Sequence, residues 1–585
     1  MTAEESPATR WSLAFLNRAI ELGLRHVVVS PGSRSRALAL AAYYLEENSP
    51  DGLQVHVAID ERTAGFLGLG LAVESGQPVA LICTSGSAPA HYLPALLEAK
   101  HSGAPLLALT ADRPAELQGV GANQTTDQIG MYGSAVSRVI AIDAPEGAAG
   151  ESDQARQAAE LAVNSARSGS AGGRAGPVQV NVGFRDPLSS AITDQLEPAS
   201  RNRAPADAFE SSVEPGPTRS VELSAQPGTL VIAGHLAGPE AEELARALGA
   251  PLIAEVHSGA HFGPHLIVAY RELLGNPPEG SDIQRVICVG RPTLTRQVAA
   301  LIARDDIEQV VWQRAEPEPA NPSGSALIVD HIGVAHPASA EDAELWVRPW
   351  RDASQAVLQE RSTEYDAPAP DVALVAAGDM ASRSEFARQE MTVLRRPLTR
   401  RHIALSVWQA TWPHDHLALA SSRMIRELDQ VASGKNIPVS ANRGLSGIDG
   451  TIATARGIAL ARAGAGKTGV TRALLGDLAL YHDVGSLLLD VGEAEASRLQ
   501  VIIVRDGGGS IFDQLEARDT TSTDAFDRVL FTPVEADISA LASAYGWNYR
   551  LAETEGDLAE ALSDPLTPVI IDCSIARTQV SPAAG

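Results

Sequence analysis

Short uninterrupted apolar runs alternate along this chain with longer segments whose apolar positions recur at three- and four-residue spacing. Residues 11–23 carry Trp11, Leu13, Ala14, Leu16, Ala19 and Ile20 at helical spacing. Residues 27–29 read as a buried strand that ends in Ser30-Pro31-Gly32-Ser33-Arg34-Ser35-Arg36, with a helix over 37–45. Residues 55–59 form the next strand, stopping at Asp60-Glu61-Arg62 before a helix rich in small residues, Ala64-Gly65-Phe66-Leu67-Gly68-Leu69-Gly70. Small residues there allow close packing against another element. Further strands are predicted over 79–83, 106–110 and 178–182. The first two lead into Thr84-Ser85-Gly86-Ser87 and Ala111-Asp112-Arg113-Pro114, and a polar loop with Asn123 and Gln124 follows. Strand, polar loop and helix in repetition predict an α/β protein of doubly wound parallel sheets, with ligands at the carboxyl ends of the strands.

The pattern divides the chain. Residues 1–194 form a first α/β unit, with an exposed loop over 166–176. Residues 195–228, rich in Pro, Ser, Ala and Glu, read as a linker. A middle α/β unit spans 229–366, with strands over 230–233, 252–254, 286–289 and 310–312. Its stretch 313–366 is expected to be a second connection ending in a helix-like tail. The last unit covers 367–585, with strands over 417–421, 501–504 and 569–572.

A length of 585 residues fits three or four domains. The net charge of −26 argues against general binding to nucleic acid or anionic membrane, so arginines gathered in motifs point to specific anion sites. There is no run of about 18 apolar residues, which predicts no membrane span. The acidic start, Met1-Thr2-Ala3-Glu4-Glu5, lacks a secretory pattern. Cys83, Cys288 and Cys573 lie far apart in apolar surroundings and read as reduced core residues of a cytoplasmic protein.

The densest chemistry lies between Leu474 and Leu515. One apolar run ends at Gly476-Asp477, and a helix-like segment follows with His482 and Asp483 expected near its start. A second run, Val501-Ile502-Ile503-Val504, ends in Arg505-Asp506-Gly507-Gly508-Gly509-Ser510-Ile511-Phe512. Two acids at strand ends beside Gly-rich backbone suit a divalent cation and a diphosphate, since Mg2+ takes oxygen ligands and shares them with phosphate. Taken alone, the same residues also suit a helix cap and a turn. Gly464-Ala465-Gly466-Lys467-Thr468 is not a nucleotide-triphosphate loop. Its required first glycine is Ala461 and a helix, not a strand, precedes it.

With Glu61 in the first unit and Gly476-Asp477…Asp506 in the last, the chain resembles the thiamine diphosphate enzymes of the 2-oxoacid decarboxylase and carboligase superfamily. Six ordered motifs narrow the resemblance. They are Ser30-Pro31-Gly32-Ser33-Arg34-Ser35, Asp60-Glu61-Arg62, Cys83-Thr84-Ser85-Gly86, Thr110-Ala111-Asp112-Arg113-Pro114, Ala441-Asn442-Arg443-Gly444…Ser446-Gly447-Ile448-Asp449-Gly450 and Gly507-Gly508-Gly509…Ile511-Phe512. They look like those of the SEPHCHC synthase family of menaquinone biosynthesis, strongly in both terminal units and weakly in the middle one.

The resemblance implies a transferase that decarboxylates 2-oxoglutarate and adds the succinyl-semialdehyde unit to isochorismate. It implies thiamine diphosphate with Mg2+ (Mn2+ in its place being compatible) and a homodimer or homotetramer with active sites at the dimer interface. Glu61 would hydrogen-bond the pyrimidine ring and share its proton. Asp477, Asp506 and the Gly508 carbonyl would hold the metal. Ser85, Gly86, Gly476, Leu478 and Gly508 would line the cofactor, with Ile448 as its prop and Ile511, Phe512 and Leu515 as the wall against water. For two dianionic substrates, Ser33, Arg34, Arg113, Asn123, Gln124, Arg291, Ser422, Arg426 and Arg443 would supply the polar contacts. The sequence departs from the pattern at Leu478, where Gly is usual, at Arg36-Ala37, where Thr-Pro is expected, and at Asp506, where many members have Asn. Arg505 is expected to offset the charge that Asp506 adds. Two alternatives stand beside this: an acetolactate-synthase-like carboligase for small monoanionic substrates, and a non-catalytic relative, against which the intact Glu61, Asp477 and Asp506 speak.

Overall fold

The computed structural model describes residues 6–48, 52–169, 173–192, 219–365, 369–493, 497–564 and 566–577. Three separate parallel sheets organise them. The first has six strands in the order Gln54–Val57, His26–Val29, Val79–Cys83, Leu106–Asp112, Val178–Gly183 and Arg138–Ile142. Its central strands are buried along their whole length, as parallel strands covered on both faces must be. The middle sheet has five strands in the order Leu327–Val329, Glu308–Trp312, Arg285–Val289, Thr229–Ala233 and Leu252–Ala254. The last has six, in the order Val439–Ala441, His416–Leu419, Thr471–Gly476, Leu499–Arg505, Val569–Ser574 and Asn548–Ala552.

Numbered within each unit, the first and last sheets share the order 2-1-3-4-6-5. In both, the chain reverses its direction of winding between the first and third strands. A crevice therefore opens at the carboxyl ends of His26–Val29 and Val79–Cys83 in one sheet, and of His416–Leu419 and Thr471–Gly476 in the other. Ser33-Arg34, Ser85-Gly86, Ser422 and Asp477 follow these strands, and Glu61, Arg113, Arg443 and Asp506 follow the strands beside them.

The stripe of small residues in the helix Glu61–Ser75 has its partner in the helix Thr451–Gly464 of the last unit. A Cβ on Gly70 would lie 2.0 Å from the Thr454 carbonyl oxygen, and one on Gly457 2.1 Å from that of Leu67. Only hydrogen at these positions lets the two backbones touch. Ala453, Leu460 and Ala461 thereby join the same buried cluster as Phe66, Leu67 and Leu71.

Some expectations need correction. Ser220–Ser224, inside the interval read as linker, pairs in parallel with His331–His336 as a two-stranded sheet; residues 193–218 lie outside the described residues. The stretch 313–366 is not merely a connection. It holds Leu327–Val329, His331–His336 and the 26-residue helix Ala340–Tyr365. The helix after Gly476 is Asp477–His482, so His482 and Asp483 stand at its end, not its start. A turn at Ala465-Gly466 follows the helix Thr451–Gly464 and leads to Lys467-Thr468, as the rejection of a nucleotide loop anticipated. Cys83, Cys288 and Cys573 are free and buried. Among the described residues no helix is long and apolar enough to cross a membrane.

Candidate active site

At the first crevice, the loop after His26–Val29 meets the loop after Val79–Cys83. The Arg34 amide donates to Thr84 Oγ1 at 3.3 Å, and its Nη1 donates to the Phe184 carbonyl at 2.7 Å. Arg34 Nε is buried without a hydrogen-bond partner. Arg113 Nη1 donates to Ser85 Oγ at 2.6 Å. Burial, and then the charge of Arg113, lowers the pKa of Arg34, so two guanidinium groups share one small region. Gln124 closes it: Ser85 Oγ donates to its carbonyl at 3.0 Å while its Nε2 returns a bond to the Ser85 carbonyl at 2.9 Å. Gln124 takes a left-handed φ of 56° to do so, and its side chain covers Gly86, where a Cβ would lie 2.7 Å from its Cγ. Ser33 and Asn123 are exposed at the rim. Ser33, Arg34, Ser85, Gly86, Arg113, Asn123 and Gln124 thus sit on neighbouring loops of one sheet.

Glu61 is the first residue of the helix Glu61–Ser75, capped by Asp60, whose side chain accepts from the Arg62 amide. This end of the helix touches the last unit: Arg62 Nη2 donates to the His482 carbonyl at 2.9 Å, and Thr63 Oγ1 lies 3.3 Å from Ser486 Oγ.

At the last sheet's carboxyl ends, Asp477 and Asp506 terminate adjacent strands. Asp477 Oδ1 accepts from the Leu478 amide at 2.8 Å and Oδ2 from the Gly507 amide at 2.9 Å. Burial, and then the charge of Asp506, pushes the Asp477 carboxyl up to about 6. Gly508 packs against Phe531, whose carbonyl oxygen would be 2.4 Å from a Cβ there. Gly507 needs its left-handed φ of 87°. A cavity of about 470 Å³ opens beside Arg505, Asp506 and Gly507, walled by Val534 and Ala536. Among the described residues no three of His, Cys, Asp and Glu gather as a ligand set. Two carboxylates do meet, and such a pair suits an ion that takes its remaining oxygens from backbone and phosphate.

Arg505 does not offset Asp506. Its Nε donates to both oxygens of Asp572, at 2.8 and 3.1 Å. The pairing follows from register: Arg505 stands opposite Ser574, two residues past Asp572 on the neighbouring strand. The cation at Asp506 is Arg400, which sequence reasoning missed.

Arg443 lies where all three units meet. Its Nε and Nη2 donate to Thr293 Oγ1 and the Thr293 carbonyl at 3.1 and 2.7 Å, while Nη1 is buried without a partner. Burial lowers its pKa to about 10. Glu98 of the first unit accepts from the Gly444 and Leu445 amides at 2.7 and 2.9 Å. Arg291 of the middle unit donates to the Arg443 and Gly444 carbonyls, so its Nη2 holds this loop instead of facing open space. Ile448 emerges half-exposed from the same loop. Ser422 caps the helix Arg423–Val431, and Arg426 Nη1 donates to the Ser422 carbonyl at 2.9 Å. Arg423 Nη1 reaches the Ser510 carbonyl at 3.3 Å, tying this helix to the turn Ser510–Gln514 that carries Ile511 and Phe512, with Leu515 as its cap.

Residues 12–131 match the family described as "Thiamine pyrophosphate enzyme, N-terminal TPP binding domain". Benzoylformate decarboxylase from Polynucleobacter necessarius has the same fold, with a TM-score of 0.63 at 14% identity over 98% of this chain and 99% of that one. The match covers part of the first unit and the solved structure shares the fold; the class, that of the thiamine pyrophosphate enzymes, is shown by these together with relatives similar along nearly the whole chain. Two relatives are both named 2-succinyl-5-enolpyruvyl-6-hydroxy-3-cyclohexene-1-carboxylate synthase. The one from Leifsonia xyli subsp. xyli is 48% identical over 96% of this chain and 95% of its own length. The one from Clavibacter michiganensis subsp. michiganensis is 48% identical over 98% and 97%. The chain belongs to the 2-succinyl-5-enolpyruvyl-6-hydroxy-3-cyclohexene-1-carboxylate (SEPHCHC) synthase family.

Proposed function

We propose that the protein decarboxylates 2-oxoglutarate with thiamine diphosphate and adds the succinyl-semialdehyde unit to isochorismate. The products are SEPHCHC, which keeps the enolpyruvyl group, and CO2, in menaquinone biosynthesis. Family membership supports this, and so does the site. The observation that supports it most is that Glu61 follows a strand of the first sheet and Asp477 and Asp506 follow adjacent strands of the last, the two sheets sharing one strand order, while Arg34 and Arg443 each keep a buried N–H without a partner.

Bound thiamine diphosphate supplies the electron sink on which a 2-oxoacid loses CO2. Glu61 shares a proton with the pyrimidine ring nitrogen. Asp477, Asp506 and the Gly508 carbonyl hold Mg2+, or Mn2+, against the diphosphate. Burial, and then the charge of Asp506, raises Asp477, and a bound cation would favour its ionised form against both. Ser85, Gly86, Gly476 and Leu478 line the cofactor and Ile448 props it. Arg34, Arg113, Arg426 and Arg443, with Ser33, Asn123, Gln124 and Ser422, hold the substrate carboxylates. The unpaired N–H groups of Arg34 and Arg443 are the donors such anions would satisfy. Ile511, Phe512 and Leu515 keep water out. Arg291 serves this set indirectly, through the carbonyls of Arg443 and Gly444.

The protein works as a homodimer or a homotetramer. Ile59, 70% exposed two residues before Glu61, and the exposed Leu445 and Ile448 support an apolar contact around the site. Three buried free thiols support a cytoplasmic setting.

A competition between 2-oxoglutarate and pyruvate tests the substrate assignment. The parent should prefer 2-oxoglutarate in kcat/KM by at least about a hundredfold, and Arg443→Ala should erase most of that ratio. Equal use of pyruvate would favour an acetolactate-synthase-like activity.

A further inference from the structure

Where many thiamine diphosphate enzymes carry asparagine, this chain has Asp506, and the added charge is met inside the protein. Arg400, the first residue of the helix Arg400–Ala410, pairs with it in a buried contact, the side chains being 7% and 6% exposed. Arg400 Nε donates to Asp506 Oδ2 at 3.1 Å and Nη2 donates to the same oxygen. Ser510 Oγ donates there as well, at 2.5 Å. Among the described residues, the hydrogen bonds of the Asp506 side chain fall on Oδ2 and leave Oδ1 for another ligand. The neighbouring arginines are engaged elsewhere: Arg505 with Asp572, and Arg423 with Glu427 and the Ser510 carbonyl.

We infer that Arg400 is a built-in counter-charge that makes Asp506 electrically equivalent to asparagine toward the metal, and so sets the affinity of the site for its divalent cation. This rests on Asp477 and Asp506 being the ligands. With Arg400 in place the three side chains sum to one negative charge, as an aspartate–asparagine pair would. Arg400→Gln makes the sum two negative charges, Asp506→Asn makes it zero and strands a buried guanidinium, and the double variant restores one.

Sign separates this role from a merely structural one. Loss of a positive charge beside a cation strengthens cation binding, whereas loss of a structural prop weakens it. The probe is Mn2+, titrated by paramagnetic resonance in the presence of thiamine diphosphate, with thermal unfolding alongside. Arg400→Gln should bind Mn2+ about tenfold more tightly, and Asp506→Asn about tenfold or more weakly. Arg400→Lys and the double variant should fall within about threefold of the parent. Weaker binding by Arg400→Gln overturns the inference. Where that variant does not fold, a double variant that fails to restore Mn2+ affinity overturns it. Asp477→Asn with unchanged affinity would instead overturn the ligand assignment, a separate result.

Discussion

Gly457→Ala probes the contact that joins the first and last units. The new Cβ would sit 2.1 Å from the Leu67 carbonyl oxygen, 2.7 Å from the Leu71 nitrogen and 3.0 Å from the Gly70 Cα. All three are backbone atoms, so no side chain can rotate away. Packed non-bonded atoms rest at about 3.5 Å, so the helices Glu61–Ser75 and Thr451–Gly464 must part by about 1 Å. A gap of that size forfeits a quarter to a half of the dispersion across the facing side chains, and overpacking of this kind costs about 1–3 kcal/mol or more. Alanine recovers about 1 kcal/mol of helix propensity, leaving a net loss of about 2 kcal/mol. Thermal unfolding should show a fall in midpoint of roughly 5 °C. Gly275, which ends the helix Tyr270–Gly275 with nothing within 4 Å of its Cβ position, gives the control: Gly275→Ala should be neutral within about 0.5 kcal/mol. A Gly457→Ala protein as stable as the parent would refute the close-contact argument.

Two further outcomes concern single acids. Burial, and then the charge of Asp429, raises the Glu255 carboxyl from its ordinary 4.5 to about 8, while its Oε1 accepts from the Thr293 and Leu294 amides at 2.6 and 2.7 Å. The folded state then holds a proton that the unfolded chain releases above about pH 4.5. Its stabilisation is fully present below that pH and is lost as pH rises through 8, by roughly 5 kcal/mol at about 1.36 kcal/mol per pH unit. Glu255→Gln should flatten the decline of the thermal midpoint between pH 5 and 9; a decline equal to the parent's would show that Glu255 does not titrate there. Glu61→Gln should cut turnover at least about a hundredfold with the thermal midpoint unchanged; full turnover in this variant would remove Glu61 from the mechanism.

The strands that carry the site were legible because parallel strands covered on both faces must be continuous apolar runs. The runs around Val27–Val29, Val79–Cys83 and Val501–Val504 leave little else to choose. Some strands outside the sheet centres escaped for the same reason inverted. Asn548–Ala552 is largely exposed and mixes Asn and Arg with its apolar residues, and Ser220–Ser224 lies in a two-stranded sheet with one buried residue. Motif residues such as Arg34, Arg113 and Arg443 could be named because they follow strands directly. What they bond could not, since Glu98 meets Gly444 across 346 residues and Arg400 meets Asp506 across 106. Arg505 misled for that reason: adjacency in sequence placed it beside Asp506, but strand register gives it to Asp572.

The reaction itself can be tested directly. Purified protein supplied with thiamine diphosphate, Mg2+ and 2-oxoglutarate is given isochorismate, and isochorismate loss is followed together with product mass. Consumption should need all three additions, and the product mass should show the added succinyl-semialdehyde unit. Decarboxylation of 2-oxoglutarate with isochorismate untouched would contradict it.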